Sequence, residues 1–149
     1  MNLLVEAAIV ALLASNEDVS AIVADRIRPL ALKQGDALPA LVYQKISDVP
    51  DYVMGGQSGL TDARIQITCW AANDAGGYSQ VKQLAEAVRC ALSGYMGTVT
   101  SGADSLDIDF IELNNQTDLY DPEIARGWPV CAVQSDFMVT YRQEVPSWP

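Results

Sequence analysis

The sequence contains no histidine. Histidine is the side chain whose ordinary pKa lies near neutrality, so its absence removes the usual general base, the Ser-His-Asp and Cys-His arrangements, and most zinc sites together. Cysteine is scarce: Cys69, Cys90 and Cys131 are odd in number, widely spaced and set in apolar segments. They read as three reduced, buried thiols in a cytoplasmic setting. Arg89 precedes Cys90, but neighbours on a helix point at different angles, so no cation is expected to activate that thiol. Positive charge is also short. Nine Lys and Arg against 19 Asp and Glu give a net charge of -10 and a pI near 4.1. Such a surface repels phosphate, only Arg26 and Arg28 stand close together, and no basic stripe forms for nucleic acid.

One apolar run is present, at the start. Eleven of the twelve residues from Leu3 to Ala14 are apolar, yet the run carries Glu6, lacks a positive flank and is too short for a bilayer of roughly 30 Å. It is expected to form a soluble helix, with no membrane partner. Being apolar on nearly every side, it should be covered on more than one face, by its own sheet and by a neighbouring subunit. A chain of 149 residues, half of them hydrophobic, is about one domain long and needs no metal or disulfide to fold. Residues 1–143 are expected to form one domain, and 144–149, with two prolines around Trp148, a short extended tail.

The periodicity predicts a helix over 3–14 and a second over "SNEDVSAIVADRI" with Ser15 or Asn16 as its cap. A strand follows over 40–47, then a long loop over 48–62 and a strand over 63–71, with Ile65, Ile67 and Cys69 opposed to Arg64, Gln66, Thr68 and Trp70. A helix over 77–93, capped by Asn73 or Asp74, carries Val81, Leu84, Ala85, Val88 and Leu92 on one stripe and stops at Gly94. Residues 94–105 read as a connection. A fourth element covers 106–111, a loop covers 115–127, and a last strand covers 128–142, long enough that a bulge must bend it or its hairpin with the fourth element must project. The resulting expectation is an α+β fold, a two-layer sandwich with a mostly antiparallel four-stranded sheet and helices packed on one face, in the order α-α-β-β-α-β-β.

Two stretches invite chemistry. "MGGQSG", Met54 to Gly59, has the glycines of a phosphate cradle, but a strand follows where a helix N-terminus and a Lys are needed. A long glycine-bearing loop reads better as an interaction arm. "QTDLYDPEIARGWPV" places Asp118, Asp121 and Glu123 within six residues, but without the alternating ligands, central glycine or closing glutamate of a calcium loop. Asp121 capping a single helical turn, with Pro122 at its first position, fits that stretch better. No catalytic, cofactor or metal residue emerges, although two of the 19 acids meeting in space as an acid/base pair stays open. Trp70, Trp128 and Trp148 read either as packing or as interface anchors.

The series "ALPALVYQKIS", "ARIQITCWA", "YSQVKQLAEAVRCAL" and "TDLYDPEIARGWPVCAVQSDFMVTYR" resembles the tail completion or tail terminator (head-to-tail joining) proteins of long-tailed bacteriophages over nearly the whole chain. Its most specific parts are Cys69-Trp70-Ala71, Asp118-Leu119-Tyr120-Asp121 and Asp136-Phe137-Met138-Val139-Thr140-Tyr141. Trp128-Pro129 and the Pro-Ser-Trp-Pro ending lie outside that pattern. The resemblance implies a non-enzymatic virion protein of the tail or neck, assembled in the host cytoplasm. It implies a ring, a homohexamer, that caps the tail tube, meets the tube protein on one side and a head-side connector or stopper on the other, and lets DNA pass without specific binding. The other readings are a stopper or adaptor of the same neck, or a ligand-binding or regulatory oligomeric domain. The expected contact residues are Tyr52, Met54, Gly55, Gly56, Asp118, Tyr120, Asp121, Pro122, Trp128 and Trp148.

Overall fold

The computed structural model describes residues 3–32, 37–72, 76–121 and 129–148. Helices α1 (Val5–Ala14) and α2 (Glu17–Val23) lead into strands β1 (Ile27–Pro29), β2 (Ala40–Val53) and β3 (Gly56–Ala72). Helix α3 (Gly77–Leu92) precedes β4 (Gly97–Ser101), β5 (Asp104–Asp121) and β6 (Val130–Arg142). All six strands form one curled sheet in the order β1-β2-β3-β6-β5-β4. It is mixed: β1 runs parallel to β2, and the other four pairings are antiparallel.

The last strand lies at the centre. β6 pairs with β3 without a break from Ala72↔Val130 to Leu60↔Arg142, and with β5 on its other side. Its alternation explains the placement. Cys131, Val133, Ser135, Phe137, Val139 and Tyr141 share one face, and all are buried. With Ile65, Ile67 and Cys69 of β3 they form the floor on which α3 sets Val81, Leu84, Ala85, Val88 and Leu92. Fully burying each large aliphatic or aromatic side chain contributes about 1.5–3 kcal/mol, so this layer dominates stability.

α1 buries Val5, Ala8, Ile9 and Leu13, leaves Val10, Ala11 and Leu12 half-buried, and exposes Leu4 and Ala7. Its neighbours are α2, α3, β2, β4 and β5, so its own chain covers more than one of its sides. α2 starts where Asn16 accepts a hydrogen bond from the Val19 amide at 3.1 Å, replacing a missing first-turn partner. It ends at Val23, before Arg28-Pro29, because Ala24 takes a positive φ of 54° and β1 begins at Ile27.

The α+β expectation of four strands is overturned. Strand makes up 53% of the described residues, their sheet has six strands, and their order is α-α-β-β-β-α-β-β-β. Residues 48–62, expected as a loop, instead extend β2 and β3 into a long hairpin closed at Met54-Gly55. Backbone pairing needs no apolar side chains, so polar and glycine-rich strands carry little signal. Pro50 is tolerated because, among the described residues, β2 has no outer partner beyond Tyr43, and an edge position needs no donor there. The connection over 94–105 contains β4, in which Val99 alone is buried, too little for a periodicity. β6 neither bulges nor projects with β5. The register shifts lie in the β2–β3 and β5–β6 pairings, and it is the β2–β3 hairpin that runs past Arg142.

Cys69 and Cys131 are buried, but Cys90 is exposed, on the side of α3 opposite its apolar stripe. Arg89 reaches back to an ion pair with Glu86 and brings Nη2 within 3.7 Å of the Cys90 sulfur, so the expected separation of those two side chains does not hold. Burial pushes the Cys69 thiol far up, which makes it inert. The expected cap of α3 at Asn73 or Asp74 lies outside the described residues; the residue before its first turn is Gly76, with φ +90°.

Candidate assembly surfaces

Among the described residues, exposed apolar side chains cluster at the end of the β2–β3 hairpin. Val49, Tyr52, Val53 and Met54 all stand in solvent, and Met54 is 103% exposed. Val53 pairs with Gly56, leaving a two-residue turn at Met54-Gly55. Gly55 has φ +101°, a backbone region that a side chain at this second turn position would disfavour. The glycines thus hold Met54 at the apex of a built turn. Tyr52, Met54, Gly55 and Gly56, expected as contacts from the sequence, lie together here. Val49 and Val53 were missed, although β-branched residues among Asp, Pro and Gly are a signal of strand.

After β6 the chain stays beside this hairpin. The Gln143 amide donates to the Gly59 carbonyl at 2.7 Å, and the Gln143 side-chain oxygen accepts from Thr61 Oγ1 at 2.9 Å and from Gln57 Nε2 at 3.3 Å. A Cβ at Gly59 would come within 3.4 Å of Val145 Cγ2, so the tail lies close against β3 there. Beyond Val145 it departs, and Trp148 is 87% exposed.

The end of β5 behaves differently from its expectation. Asn115 to Asp121, expected as the start of a loop, pair with β6 from Asp136 to Val130. Asp118 is engaged within its own chain: its carboxylate accepts from Tyr78 Oη at 2.6 Å and from Lys82 Nζ at 2.5 Å. Lys82 also lies 5.3 Å from the centre of the Tyr78 ring. The Lys82 hydrogen bond first, and the Tyr78 bond next, hold the Asp118 carboxyl below its ordinary pKa, while the bond to Asp118 raises Lys82. This cluster ties β5 to the first turns of α3. Leu119 and Tyr120 are exposed. The backbone of Asp121 belongs to β5, opposite Val130; the helical turn expected from Pro122, and Trp128, lie outside the described residues.

Two polar clusters test for chemistry. On the sheet face away from the helices, Asp136 is buried and accepts from Arg64 Nη2 at 2.6 Å and Gln66 Nε2 at 3.3 Å, a cross-strand brace between β3 and β6. On the helix face, Lys45 lies 3.7 Å from Glu6 and 3.2 Å from Asp48, and Tyr141 Oη donates to Asp48 at 3.0 Å. Burial and the Asp48 bond push the Tyr141 phenol well up, so it stays protonated as a donor. Two acids do meet here, but Lys45 stands between them as a counterion, in a hollow of about 130 Å3 that links α1 to the sheet. Among the described residues, no group of three or more Cys, Asp or Glu could hold a metal ion, and no helix is long and apolar enough to cross a membrane.

Residues 7–133 match the model of the family described as tail completion protein gp17. A comparison with curated protein sequences gives no match. Among solved structures, a chain from the virion of a native gene transfer agent particle superposes with a TM-score of 0.71 at 16% identity, covering 93% of this chain and 94% of that one. At that identity the similarity concerns the fold.

Proposed function

This chain belongs to the tail completion protein gp17 family, and from there we propose that it closes into a ring, a homohexamer, that caps the phage tail tube, ends its growth and joins the tail to the DNA-filled head. It is a structural protein of the phage tail and not an enzyme. The observation that carries the finer reading is the hairpin end: a β-hairpin reaching past its own sheet with Val49, Tyr52, Val53 and Met54 in solvent. A contact of that shape, made by one surface on a different surface of the next copy, repeats around an axis until the ring closes. Tyr is a side chain enriched among interface anchors, and Met is a flexible thioether that adapts to an irregular partner surface.

The proposed partners are the chain itself, the tube protein below and a connector or stopper above. Six copies at -10 each carry six times that formal charge, and an acidic bore lets DNA slide without adhering. Leu119, Tyr120 and Asp121, at the other end of the sheet, are the proposed second contact. The test is solution mass together with electron microscopy of the purified chain, alone and with tail tubes. Rings that seat on tube ends are expected. Tyr52→Ala with Met54→Ala should leave a folded monomer that forms no rings, and Tyr120→Ala with Asp121→Ala should weaken head-tail joining. A wild-type chain that stays monomeric at all concentrations and ignores tubes overturns the reading.

A further inference from the structure

The β2–β3 ladder is broken short of its tip. Pro50 stands opposite Thr61 and Tyr52 opposite Gln57, so across this step β2 advances two residues while β3 advances four. The surplus residues of β3 form a bulge, and Gly59 within it takes φ +96°, a conformation that glycine adopts without steric cost. The bulge falls where the support of the sheet ends, because β6 pairs with β3 only as far as Leu60, opposite Arg142. Beyond it the tip is a two-stranded ribbon, which is at best marginally stable by itself. A broken ladder with only two strands on its far side is a hinge.

One residue spans that hinge. Gln143, the first residue after β6, donates its backbone amide to the Gly59 carbonyl inside the bulge at 2.7 Å. Its side-chain Oε1 accepts from Thr61 Oγ1 at 2.9 Å on the sheet side of the bulge and from Gln57 Nε2 at 3.3 Å on the tip side. We propose that Gln143 is a positioning residue, which locks the bulge at one angle and so presents Tyr52, Val53 and Met54 to the neighbouring copy; the inference rests on the ring reading above. The lock is chemically specific. An amide oxygen has two lone pairs and here both are used, whereas the side-chain nitrogen of Gln143 has no hydrogen-bond partner among the described residues. An acceptor is what this position requires. Thr61 is buried, so removing that acceptor leaves its hydroxyl without a partner. A tip held at one angle also loses less freedom on binding than a swinging one, and the difference appears as affinity.

The test separates the acceptor from the rest of the side chain. Gln143→Met keeps the unbranched length and the backbone N–H but removes the strong acceptor, and Gln143→Glu keeps acceptor oxygens while donating nothing. Amide hydrogen exchange is measured on the full chain, dilute enough to be monomeric. In Gln143→Met the amides of residues 52–57 are expected to exchange at least about 5-fold faster than in wild type, as for a local opening that has lost two hydrogen bonds. Those of residues 63–69 should keep their rates. Gln143→Glu should stay within about 2-fold of wild type throughout, and Thr61→Val, which deletes one donor at nearly constant shape, should fall between the two. The concentration needed for rings, read from solution mass, should rise at least about 5-fold in Gln143→Met. Wild-type exchange in Gln143→Met, or exchange in Gln143→Glu as fast as in Gln143→Met, overturns the lock. A loosened tip with rings undiminished overturns the positioning role and leaves the ring reading standing; a wild type that never associates removes the ring reading, and the exchange rates still decide the lock.

Discussion

The two ends of the β2–β3 hairpin are built from the same pair of strands and live in opposite environments. Near the base, Leu41, Ile65, Ile67 and Cys69 are completely buried, with β6 beside them and α3 above. Near the turn, Tyr52, Val53 and Met54 are exposed, and among the described residues the first tail residues run alongside β3 there. The base is stabilised by its own chain. The tip has apolar side chains whose burial contributes nothing until a second surface arrives. The difference locates stability in one half of the hairpin and the proposed recognition in the other.

If so, removing similar amounts of side chain should cost very different amounts. Phe137→Ala, in the fully buried floor shared with the hairpin base, is expected to lower unfolding free energy by about 3–5 kcal/mol. Met54→Ala at the apex should stay within about 0.5 kcal/mol of wild type, while reducing association. Denaturant titration of both variants at a concentration where the chain is monomeric measures the contrast. A comparable loss from Met54→Ala would mean that the tip packs on its own chain.

The legibility of the sequence follows the same division. β6 could be read because six alternating residues from Cys131 to Tyr141 all face the core, and α3 because its stripe has helical spacing. Where one face is buried, periodicity reports it. The hairpin tip, β1 and β4 could not be read so, since edge and projecting strands are held by backbone hydrogen bonds and bury too few side chains for one face to alternate. The intrachain partners of Asp118 are beyond a local reading, because Tyr78 and Lys82 lie 40 and 36 residues earlier in the chain. Tyr52 and Met54 lie in the long glycine-bearing segment that reads as an interaction arm, and both stand exposed at one hairpin end.

A smaller effect is expected at the brace between the strands that carry both ends. Asp136→Asn keeps the shape but removes the charge that Arg64 and Gln66 donate to, at a site where Asp136 is 7% exposed. Charge-assisted hydrogen bonds contribute about 1.5–3 kcal/mol, and Arg64, being half exposed, recovers part of that in water. A loss of about 1–2 kcal/mol in denaturant titration is expected, with no change in ring formation. Loss of rings at unchanged stability would place the sheet face away from the helices at an interface.

The smallest effect concerns the Asp118, Lys82 and Tyr78 cluster. Exposed ion pairs contribute about 0.2–1 kcal/mol, so Asp118→Asn should lower the midpoint of thermal unfolding by only about 1–3 °C in a chain of this length. The pH dependence identifies the source. Asp118 is held below its ordinary value of 3.8, so its contribution is present above that value and is lost as pH falls through the lower folded pKa. Lys82 is raised above 10.5, so its contribution is present below that value and is lost as pH rises through the higher folded pKa. The difference between wild type and Asp118→Asn should therefore be flat from about pH 5 to 10 and shrink on the acid side. Because Asp118 ties β5 to α3 beside the exposed Leu119 and Tyr120, the same variant should loosen that end of the sheet and leave the hairpin tip untouched. Faster amide exchange at 117–120, with unchanged exchange at 50–56, is the measurement that separates the two ends.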